Sequence, residues 1–322
     1  AELAARRAQA DRLPDPTVGV RVLSERTGAE RAVGLMFSIP LPGAHRNAVA
    51  GEARAEATVA AARLEAALGR PTEVRILTTT GDRQAAWSLE KQGGKGLFTA
   101  ELEQALLRGE ADLAIHSSKD LPTEMPAGLA IAACLPRQDA RDVLVRRADV
   151  TTPNLIATGS PRRRAQGALT FPQAQWTELR GNVDTRLKKL ANGDADASYL
   201  AASGLNRLGI TEWPGLVLEP VALDRMVPAA GQGAVAIQSR SAEVAQYIAA
   251  GCAQTTFSVS VERLFLAKLG EGCHTAFACH HANNRIALFR ADFGRCDFDF
   301  AVTDLAAASD LADTILAQIL PR

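Results

Sequence analysis

The stretch Ala111-Asp-Leu-Ala-Ile-His-Ser-Ser-Lys-Asp-Leu-Pro122 joins an apolar run to a polar run and ends at a proline. Leu113–Ile115 is typical of a buried strand, and the polar residues that follow predict a loop. In open α/β sheets ligands bind beyond the carboxyl ends of the strands, so His116, Ser117, Ser118, Lys119 and Asp120 would be presented together at a crevice. An ordinary strand exit with a solvated Lys-Asp pair explains the same pattern.

The composition is that of an ordinary globular protein. The chain has 322 residues, of which 47% are apolar and 22% charged, and its 36 basic residues match 36 acidic ones. This length suits two or three domains, and the balanced charge argues against a nucleic-acid or membrane partner. Five cysteines, an odd number, favour a reducing compartment over a disulfide framework. No apolar run approaches roughly 20 residues and no signal-peptide pattern is present, so we expect a cytoplasmic enzyme or binding protein.

From Thr72 onward, strand patterns alternate with helix patterns. The predicted strands are Glu73–Thr78, Ala111–Ile115, Gly128–Leu135, Asp142–Val145, Leu155–Ala157, Thr177–Leu179 and Ala197–Leu200, and the predicted helices are Thr99–Arg108, Pro161–Leu169, Val183–Ala191 and Ala201–Leu208. This alternation predicts an α/β fold with mostly parallel sheets. The predicted elements of the C-terminal part are helix Gln254–Leu269, strands Ile286–Phe289 and Phe298–Val302, and helix Ala306–Ile319. They indicate a small α+β domain.

Residues 1–70 differ from the rest of the chain. Two Ala, Arg and Glu-rich helical patterns, Ala1–Leu13 and Ala48–Leu68, flank two strand-like pieces, Thr17–Leu23 and Val33–Ile39. The segment resembles a fragment of the TolC-type outer-membrane efflux channels in the runs that begin at Pro14 and Gly34. A barrel with a periplasmic tunnel needs far more chain than this, so we expect no transport.

Arginines gather at the ends of predicted elements between residues 160 and 210. They are Arg162, Arg163 and Arg164 after Gly159-Ser-Pro161, Arg180 before Gly181, Arg186 in the next helix, and Arg207 at the end of the helix after that. A helix N-terminus favours an anion, and guanidinium groups bind carboxylates through paired hydrogen bonds. Lys91 and Lys95 flank Gly93-Gly94, where backbone can approach a ligand closely. These residues predict a site for a small polyanion with several carboxylates, and a solvated basic face is the alternative.

Cys273 ends the tight turn Gly270-Glu-Gly-Cys273 after a long helical pattern. Such a turn can expose a thiol, whereas Cys134 and Cys252 lie in apolar surroundings typical of core cysteines. A lone cysteine is nevertheless more often structural than nucleophilic. Cys279-His280-His281 together with His274 suggests a metal site, but no second ligand pair follows at a standard separation, and we assign no metal.

Eight motifs together resemble the hydroxymethylbilane synthase family, also called porphobilinogen deaminase, over about residues 73–322. They are Thr79-Thr-Gly-Asp82, Gly93-Gly-Lys-Gly-Leu-Phe98, His116-Ser-Ser-Lys-Asp-Leu-Pro122, Gly159-Ser-Pro-Arg-Arg163, Leu179-Arg-Gly-Asn-Val-Asp-Thr-Arg-Leu187, Ala202-Ser-Gly-Leu-Asn-Arg-Leu-Gly209, Pro228-Ala-Ala-Gly-Gln-Gly-Ala234 and Gly270-Glu-Gly-Cys273. The resemblance implies three α/β domains, the first two like the lobes of a periplasmic binding protein and the third, a small α+β domain, carrying the cysteine.

The domain boundaries follow from this resemblance and from two expected crossings between lobes, Asp139–Asp142 and Val227–Gly233. The first crossing is charged and turn-like, and the second is rich in Gly, Ala and Pro. We place domain 1 at residues 71–138 and 230–250, domain 2 at 139–229, and a C-terminal cofactor-attachment domain at 251–322. Residues 1–70 are then an atypical N-terminal segment that replaces the start of domain 1.

The resemblance implies a monomeric, cytoplasmic transferase of tetrapyrrole, porphyrin and heme biosynthesis. Cys273 would hold a dipyrromethane cofactor through a thioether, and four porphobilinogens would be added head to tail, each losing ammonia, before water releases the linear tetrapyrrole. Asp120 would be the catalytic carboxylate that stabilises the cation formed as ammonia leaves. The residues implied to contact the cofactor or substrate are Lys91, Lys95, Ser117, Lys119, Arg162, Arg163, Arg180, Arg186 and Arg207.

The N-terminal part departs from the family pattern. Members begin with a strand and an Arg-Gly-Ser-like turn that helps to bind the cofactor, and in this chain that part is absent or replaced. Arg46 is nearest to the position of the expected arginine, and Ala48–Leu68 could take the place of the helix that follows the turn. The order Gly-Glu-Gly-Cys273 also differs from the usual Glu-Gly-Gly-Cys. The alternative function is therefore an inactive fusion or truncated homologue that only binds an anionic small molecule. Such a protein needs the arginines but neither Cys273 nor Asp120.

Overall fold

The fold is taken from a computed structural model of the full chain. The structure describes residues 16–25, 30–37, 44–78, 99–270 and 275–320. The predictions for helix Ala1–Leu13 and for Lys91, Lys95 and Cys273 lie outside these residues. Contacts divide the chain into two compact units. Unit 1 comprises Ala1–His116, Met125–Leu135 and Val235–Cys252, and unit 2 comprises Ser117–Glu124, Pro136–Ala234 and Ala253–Arg322.

The described strands and helices follow one another closely along the chain. The strands are β1 (Pro16–Glu25), β2 (Glu30–Phe37), β3 (Thr72–Thr78), β4 (Leu113–Ser117), β5 (Leu129–Cys134), β6 (Asp142–Arg147), β7 (Leu155–Ala157), β8 (Gln175–Thr177), β9 (Ala197–Ala201), β10 (Leu216–Pro220), β11 (Val235–Arg240), β12 (Ala278–Ala282), β13 (Arg285–Arg290) and β14 (Gly294–Asp299). The helices are α1 (Ala44–Leu68), α2 (Ala100–Leu107), α3 (Pro161–Thr170), α4 (Val183–Ala191), α5 (Ala202–Arg207), α6 (Val244–Tyr247), α7 (Ala253–Lys268) and α8 (Leu305–Ile319).

Unit 1 is built on a six-stranded sheet in the order β2-β3-β1-β4-β11-β5. The N-terminal strand β1 therefore takes the place beside β4, the strand that leads into the Ser117–Asp120 loop. It pairs with β4 antiparallel, and only through Gly19↔Ala114 and Val20↔Leu113. Its pairing with β3 is longer and runs from Pro16↔Thr78 to Arg21↔Glu73. The edge of β4 is thus covered over two residues.

The second half of α1 belongs to the core of unit 1. Ala57, Ala60 and Leu64 are fully buried and pack in one cluster with Leu113 and Ile237 of the sheet. Their spacing of three and four residues places them on one face of the helix. The Ala48–Leu68 helix predicted from the sequence is therefore present, and its described side chains contribute apolar surface to the core.

Unit 2 contains a five-stranded sheet in the order β10-β6-β9-β7-β8. Strand β7 is parallel to both β8 and β9, whereas β6 is antiparallel to both β9 and β10. The predicted α/β class is confirmed, but the prediction of mostly parallel sheets is wrong for the described strands. Short apolar strands carry no local signal of their direction, so alternation with helices alone suggested the wrong orientation for β6.

Both faces of this sheet are covered. Val143 and Val145 pack with Leu187 and Leu190 of α4, whereas Leu144 packs on the opposite face. On that face Gly167 of α3 lies against the sheet so closely that a Cβ atom would come within 2.4 Å of the Trp176 ring. Burial on both faces explains why β6 reads as a continuous apolar run in the sequence.

The C-terminal part of unit 2 is an antiparallel sheet, β12-β13-β14, packed with α7 and α8. Phe265, Ile286, Phe300 and Ile315 are among its buried side chains. The predicted α+β character of this region is confirmed. The division into three domains stays a prediction, because contacts group this part with residues 136–234 in one unit.

Several predicted boundaries need correction. Strand β4 ends two residues later than predicted, β8 ends where the predicted strand Thr177–Leu179 begins, and β14 lies mostly before the predicted Phe298–Val302. Strands β10, β11 and β12 were not predicted. Their apolar runs are interrupted by polar residues, as in Ala278-Cys-His-His-Ala282, whose two histidines are buried.

Replacing Leu64 by Ala tests whether the packing of α1 contributes to the stability of unit 1. We expect a loss of about 2–5 kcal/mol in the free energy of unfolding, since a fully buried leucine leaves a cavity when it is truncated. The matched control is Val59→Ala on the same helix, where the side chain is 49% exposed and a change within about 0.5 kcal/mol is expected. Equal losses for the two variants in urea denaturation would contradict the packing of α1.

Candidate active site

Several functional side chains of unit 2 follow strands that end at one edge of the sheet. Three parallel strands carry them: β7 leads into α3, β8 leads into the turn before α4, and β9 leads into α5. The first two exits are close together, because a Cβ atom on Gly159 would lie 3.8 Å from the carbonyl oxygen of Leu179. Strand β6 runs in the opposite direction, so its first residue, Asp142, lies opposite Ala201 at the same edge.

Helix α3 carries the first arginines into this edge. It begins after Ser160, whose hydroxyl accepts a hydrogen bond from the Arg163 backbone N–H, and Pro161 occupies its first position. A serine cap followed by proline is a strong helix start, which explains why the sequence located α3 correctly. Gln166, one turn further on, is hydrogen-bonded to both the N–H and the carbonyl of Val227.

Asp142 binds both predicted arginines of α3. Arg162 donates to the two carboxylate oxygens of Asp142 at 2.7 and 3.1 Å, and Arg163 donates from Nε at 2.8 Å. The Asp142 side chain is fully buried, and less than a tenth of either arginine side chain is exposed. The predicted ligand-binding arginines are therefore part of a buried ion cluster with one carboxylate and two guanidinium groups.

The charges in this cluster shift the pKa values of its members. Burial by itself would raise the pKa of the Asp142 carboxyl, but the positive charges of Arg162 and Arg163 outweigh burial and hold that pKa far below its usual range. Burial lowers the pKa of Arg163, an effect opposed by the charges of Asp142 and Asp120. Asp120, the predicted catalytic carboxylate, lies in the same compact unit as this cluster.

The loop that carries Asp120 is fixed by its backbone. Residues Ser118–Asp120 form a single 3-10 turn, and the Ser118 N–H donates to the Ala234 carbonyl at 2.9 Å. Gly231 has a φ of +73°, and a Cβ atom there would lie 2.5 Å from the Ser118 hydroxyl oxygen. Only glycine fits this close approach. Ser117 and Lys119 are half-buried and Asp120 is exposed, so the carboxylate is available to a ligand.

The remaining predicted arginines lie nearer the surface. Arg180 is paired with Glu178, and Arg186 donates from Nε to the Gly181 carbonyl at 2.6 Å. These two residues flank the same turn. Arg207, at the end of α5, donates to the Gln138 side chain at 2.8 Å.

A second buried carboxylate, Glu262 of α7, was missed in the sequence. It accepts two hydrogen bonds from Arg137, at 2.6 and 3.0 Å, and others from the backbone N–H groups of Gly231 and His281. Arg137 outweighs the effect of burial and lowers the pKa of Glu262 to about 2. A glutamate near an apolar helix face has no sequence signal that separates this role from that of an exposed residue.

Asp142 and Gln232 were missed as well. The sequence placed Asp142 at the end of a charged crossing and the start of a strand, and Gln232 in a glycine-rich crossing, and it indicated no site role for either residue. Gln232 donates to the Ala140 carbonyl at 2.7 Å and accepts from Arg162 at 3.2 Å. Burial of the Gln232 side chain among these partners could not be read from local sequence.

The cysteine and histidine run of β12 is buried. Burial raises the pKa of the Cys279 thiol well above its usual range and lowers the pKa of His281. Cys134 is buried as predicted, whereas Cys252 is half-buried. Across the described ranges, no three His, Cys, Asp or Glu side chains are grouped so that they could hold a metal ion. His274 lies outside those ranges.

A sequence profile described as "Porphobilinogen deaminase, dipyromethane cofactor binding domain" matches residues 52–247, more than half of the chain. The chain belongs to this family. The matched segment, which includes Asp120 and all the predicted arginines, corresponds to the family's dipyrromethane cofactor binding domain. The match begins inside α1, so the resemblance starts earlier than residue 73, where the motifs placed it. Cys273 lies outside the matched segment.

Curated relatives support the same assignment. A porphobilinogen deaminase of Caulobacter sp. (strain K31) is 44% identical over 211 residues, which are 63% of this chain and 65% of that protein. One from Sulfurimonas denitrificans is also 44% identical, over 64% of this chain and 67% of that protein. The chain therefore spans about 65% of the length of the curated relatives that it matches. The comparisons give no support to the efflux-channel resemblance of residues 1–70, which stays a prediction.

The solved structures with similar folds are remote. The periplasmic VFT2 domain of Bordetella pertussis BvgS matches with a TM-score of 0.37 and 17% identity, covering 60% of this chain and 76% of that one. The L-cystine solute receptor of Neisseria gonorrhoeae matches with a TM-score of 0.34 and 14% identity, covering 67% of this chain and 78% of that one. The fold assignment rests on the sheets described above. Among the described helices, none combines the length and the apolar character that a membrane span requires.

His116 connects the loop to the core of unit 1. Its Nε2 lies 2.9 Å from Oε1 of Gln238, and both side chains are buried. Burial lowers the pKa of His116 to about 4, although the hydrogen bond with Gln238 opposes the shift. The imidazole is therefore neutral at pH 7 and serves as a fixed support immediately before Ser117.

This shift predicts a pH dependence of stability. Because the pKa of His116 is about 4 in the folded chain and about 6.5 when unfolded, the unfolded chain binds more protons between these values, and stability falls as the pH drops from 6.5 to 4. The loss is on the order of 3 kcal/mol across that window. Urea denaturation of His116→Gln should show a flatter pH dependence than wild type by this amount. Parallel curves for the two proteins would contradict the assignment.

Proposed function

We propose that the chain is a hydroxymethylbilane synthase, a transferase that deaminates four porphobilinogens, joins them head to tail on a cysteine-linked dipyrromethane, and releases the linear tetrapyrrole by hydrolysis. One observation carries the proposal. A chain of the porphobilinogen deaminase family presents an exposed carboxylate, Asp120, on a short turn of the unit that also holds the buried guanidinium groups of Arg162 and Arg163. A carboxylate and guanidinium groups suit a reaction that creates a positive charge on a substrate bearing negative side chains.

The residues present fit a cofactor and substrate that carry carboxylates. The cluster of Asp142, Arg162 and Arg163 holds one negative and two positive charges, which leaves a surplus of one positive charge. Arg180 and Arg186 add guanidinium groups at the neighbouring turn. A surplus of buried positive charge is stabilised by an anion, so carboxylate side chains are the ligand groups that this edge favours.

The roles of the chain's own residues follow from the proposed reaction. The carboxylates of the cofactor and the substrate are bound and oriented by Ser117, Lys119, Arg163, Arg180, Arg186 and Arg207, together with Lys91 and Lys95. Arg162 belongs to the buried cluster that holds Arg163 in place. Asp120 accepts the pyrrole N–H and stabilises the cation that remains on the substrate when ammonia leaves. Cys273 attaches the dipyrromethane through a thioether. When bound, this group supplies the free pyrrole carbon to which the first substrate unit is joined.

We also propose that the enzyme acts as a monomer in the cytoplasm, with porphobilinogen as its small-molecule partner and with no nucleic-acid or membrane partner. The equal numbers of acidic and basic residues support this view, because a nucleic-acid or anionic membrane surface would favour a basic excess.

A specific observation favours a second candidate, an anion-binding homologue without activity. Strand β1 covers the edge of β4 through only two residue pairs, and the family match begins at residue 52, after β1 and β2. The arginines of unit 2 would remain able to bind carboxylates even if unit 1 did not support turnover. Binding of porphobilinogen without release of ammonia would favour this candidate.

Intact-mass spectrometry tests the covalent cofactor. Protein made in cells that produce porphobilinogen should carry the added mass of one dipyrromethane, and the Cys273→Ser variant should lack it. Cys296→Ser is the matched control, because this half-buried thiol of β14 plays no part in the proposed attachment and its variant should keep the adduct. An unmodified mass in wild type would count against the enzyme and for the binding-only candidate.

Turnover of an Asp120→Asn variant tests the catalytic carboxylate. We expect the rate of ammonia release to fall by about 100-fold or more, because the amide cannot stabilise the developing cation. The melting temperature should change little, since Asp120 is exposed. Asp310→Asn, at an exposed position of α8, should keep wild-type turnover. A rate within twofold of wild type for Asp120→Asn would remove Asp120 from the catalytic role.

A further inference from the structure

Arg162 and Arg163 share one carboxylate but are held in different ways. Both terminal nitrogens of Arg162 are saturated: Nη1 donates to Asp142 at 2.7 Å and to the Val227 carbonyl at 2.9 Å, and Nη2 donates to Asp142 at 3.1 Å and to Gln232 at 3.2 Å. Four N–H groups thus meet four acceptors. A ligand could bind either Nη group of Arg162 only by replacing one of these bonds.

Arg163 is held along one edge only. Its Nε donates to Oδ1 of Asp142 at 2.8 Å, and its Nη2 lies 2.8 Å from the same oxygen. Its Nη1 group makes no hydrogen bond to any residue that the structure describes. The backbone N–H of Arg163 is used by the Ser160 cap, which fixes the start of the helix beneath the side chain.

We propose that Asp142 gives the two arginines separate roles. It fixes Arg162 within the fold as a positioning residue, and it holds Arg163 by one edge so that Nη1 and the surplus positive charge remain for a carboxylate of the bound ligand. Gln232 completes the arrangement by accepting the remaining N–H of Arg162 and anchoring its own amide to Ala140. This inference rests on the proposed function, which supplies a ligand with carboxylate groups.

Charge explains why one carboxylate suits two guanidinium groups here. A second buried carboxylate would neutralise the cluster and remove the attraction for an anionic ligand. Without Asp142, two unpaired cations would be buried at adjacent positions of one helix, which is strongly unfavourable. The single carboxylate therefore holds both side chains in place and still leaves a net charge of +1 within the buried cluster.

Paired lysine substitutions separate the two roles, because lysine keeps the charge but cannot form the same set of bonds. The test uses the full chain with Cys273→Ser, so that no condensation follows binding. Arg162→Lys should lower the melting temperature by about 5 °C or more and change the dissociation constant of porphobilinogen less than about threefold. Arg163→Lys should shift the melting temperature by less than about 2 °C and weaken binding about tenfold.

The opposite pattern would overturn the proposal. A tenfold loss of affinity in Arg162→Lys, or unchanged affinity in Arg163→Lys, contradicts the separation of roles. If porphobilinogen does not bind even when both arginines are present, the proposed function fails instead. The melting temperatures are measured without ligand and still decide which arginine is fixed in the fold.

A second pair of variants keeps the test decisive if Arg162→Lys does not fold. Gln232→Glu places a second carboxylate beside Arg162 and cancels the surplus charge, so porphobilinogen should bind about fivefold more weakly or worse. Gln232→Met removes the same acceptor without adding charge, and its dissociation constant should stay within about threefold of the parent. Equal affinities for the two variants would show that the surplus charge does not serve the ligand.

Discussion

The buried carboxylate of Asp142 is the interaction on which the arginine-bearing edge of unit 2 depends. Removing an ion from water costs several kcal/mol, and this cost is offset only when opposite charges and hydrogen bonds replace the lost hydration. Here Arg162 and Arg163 supply both. Because Asp142 begins β6 and the arginines begin α3, the same interaction ties the strand to the helix. Gln166 of the same helix adds a separate anchor by binding both backbone groups of Val227, a residue outside β6.

The local parts of the site could be predicted from sequence and the long-range parts could not. Ser160 and Pro161 mark the start of α3 by chemistry that acts within one turn, so the position of Arg162 and Arg163 at a helix N-terminus followed directly. The role of Asp142 depends on the direction of β6. Had β6 been parallel to β9, as expected from alternation, Asp142 would have lain at the opposite edge of the sheet. Antiparallel pairing brings Asp142 opposite Ala201, and no sequence pattern in residues 142–147 indicates that β6 is antiparallel to β9.

The same distinction applies to unit 1. The apolar spacing of Ala57, Ala60 and Leu64 is a local signal, and α1 was predicted correctly. Besides its neighbour β2, β1 pairs with β3 and β4, which lie about 50 to 100 residues away in sequence, and local patterns do not encode these two pairings. This matters for the site because β4, the strand beside β1, continues directly into the loop of Asp120. His116, near the end of β4, is fixed by Gln238 of β11, on the side of β4 away from β1.

Glu262 connects the segment that binds Arg162 to α7, the helix that precedes Cys273 in the sequence. The Gly231 N–H donates to Glu262 of α7, and the neighbouring Gln232 accepts from Arg162 of α3. Two buried ion clusters of the same unit therefore hold adjacent residues of one backbone segment. Since consecutive Cα atoms are 3.8 Å apart and the peptide between them is planar, a shift of α7 that carries Gly231 with it also displaces Gln232, the acceptor of Arg162. The position of Arg162 is thus linked, through Gln232 and Gly231, to α7, the helix that precedes Cys273 in the sequence.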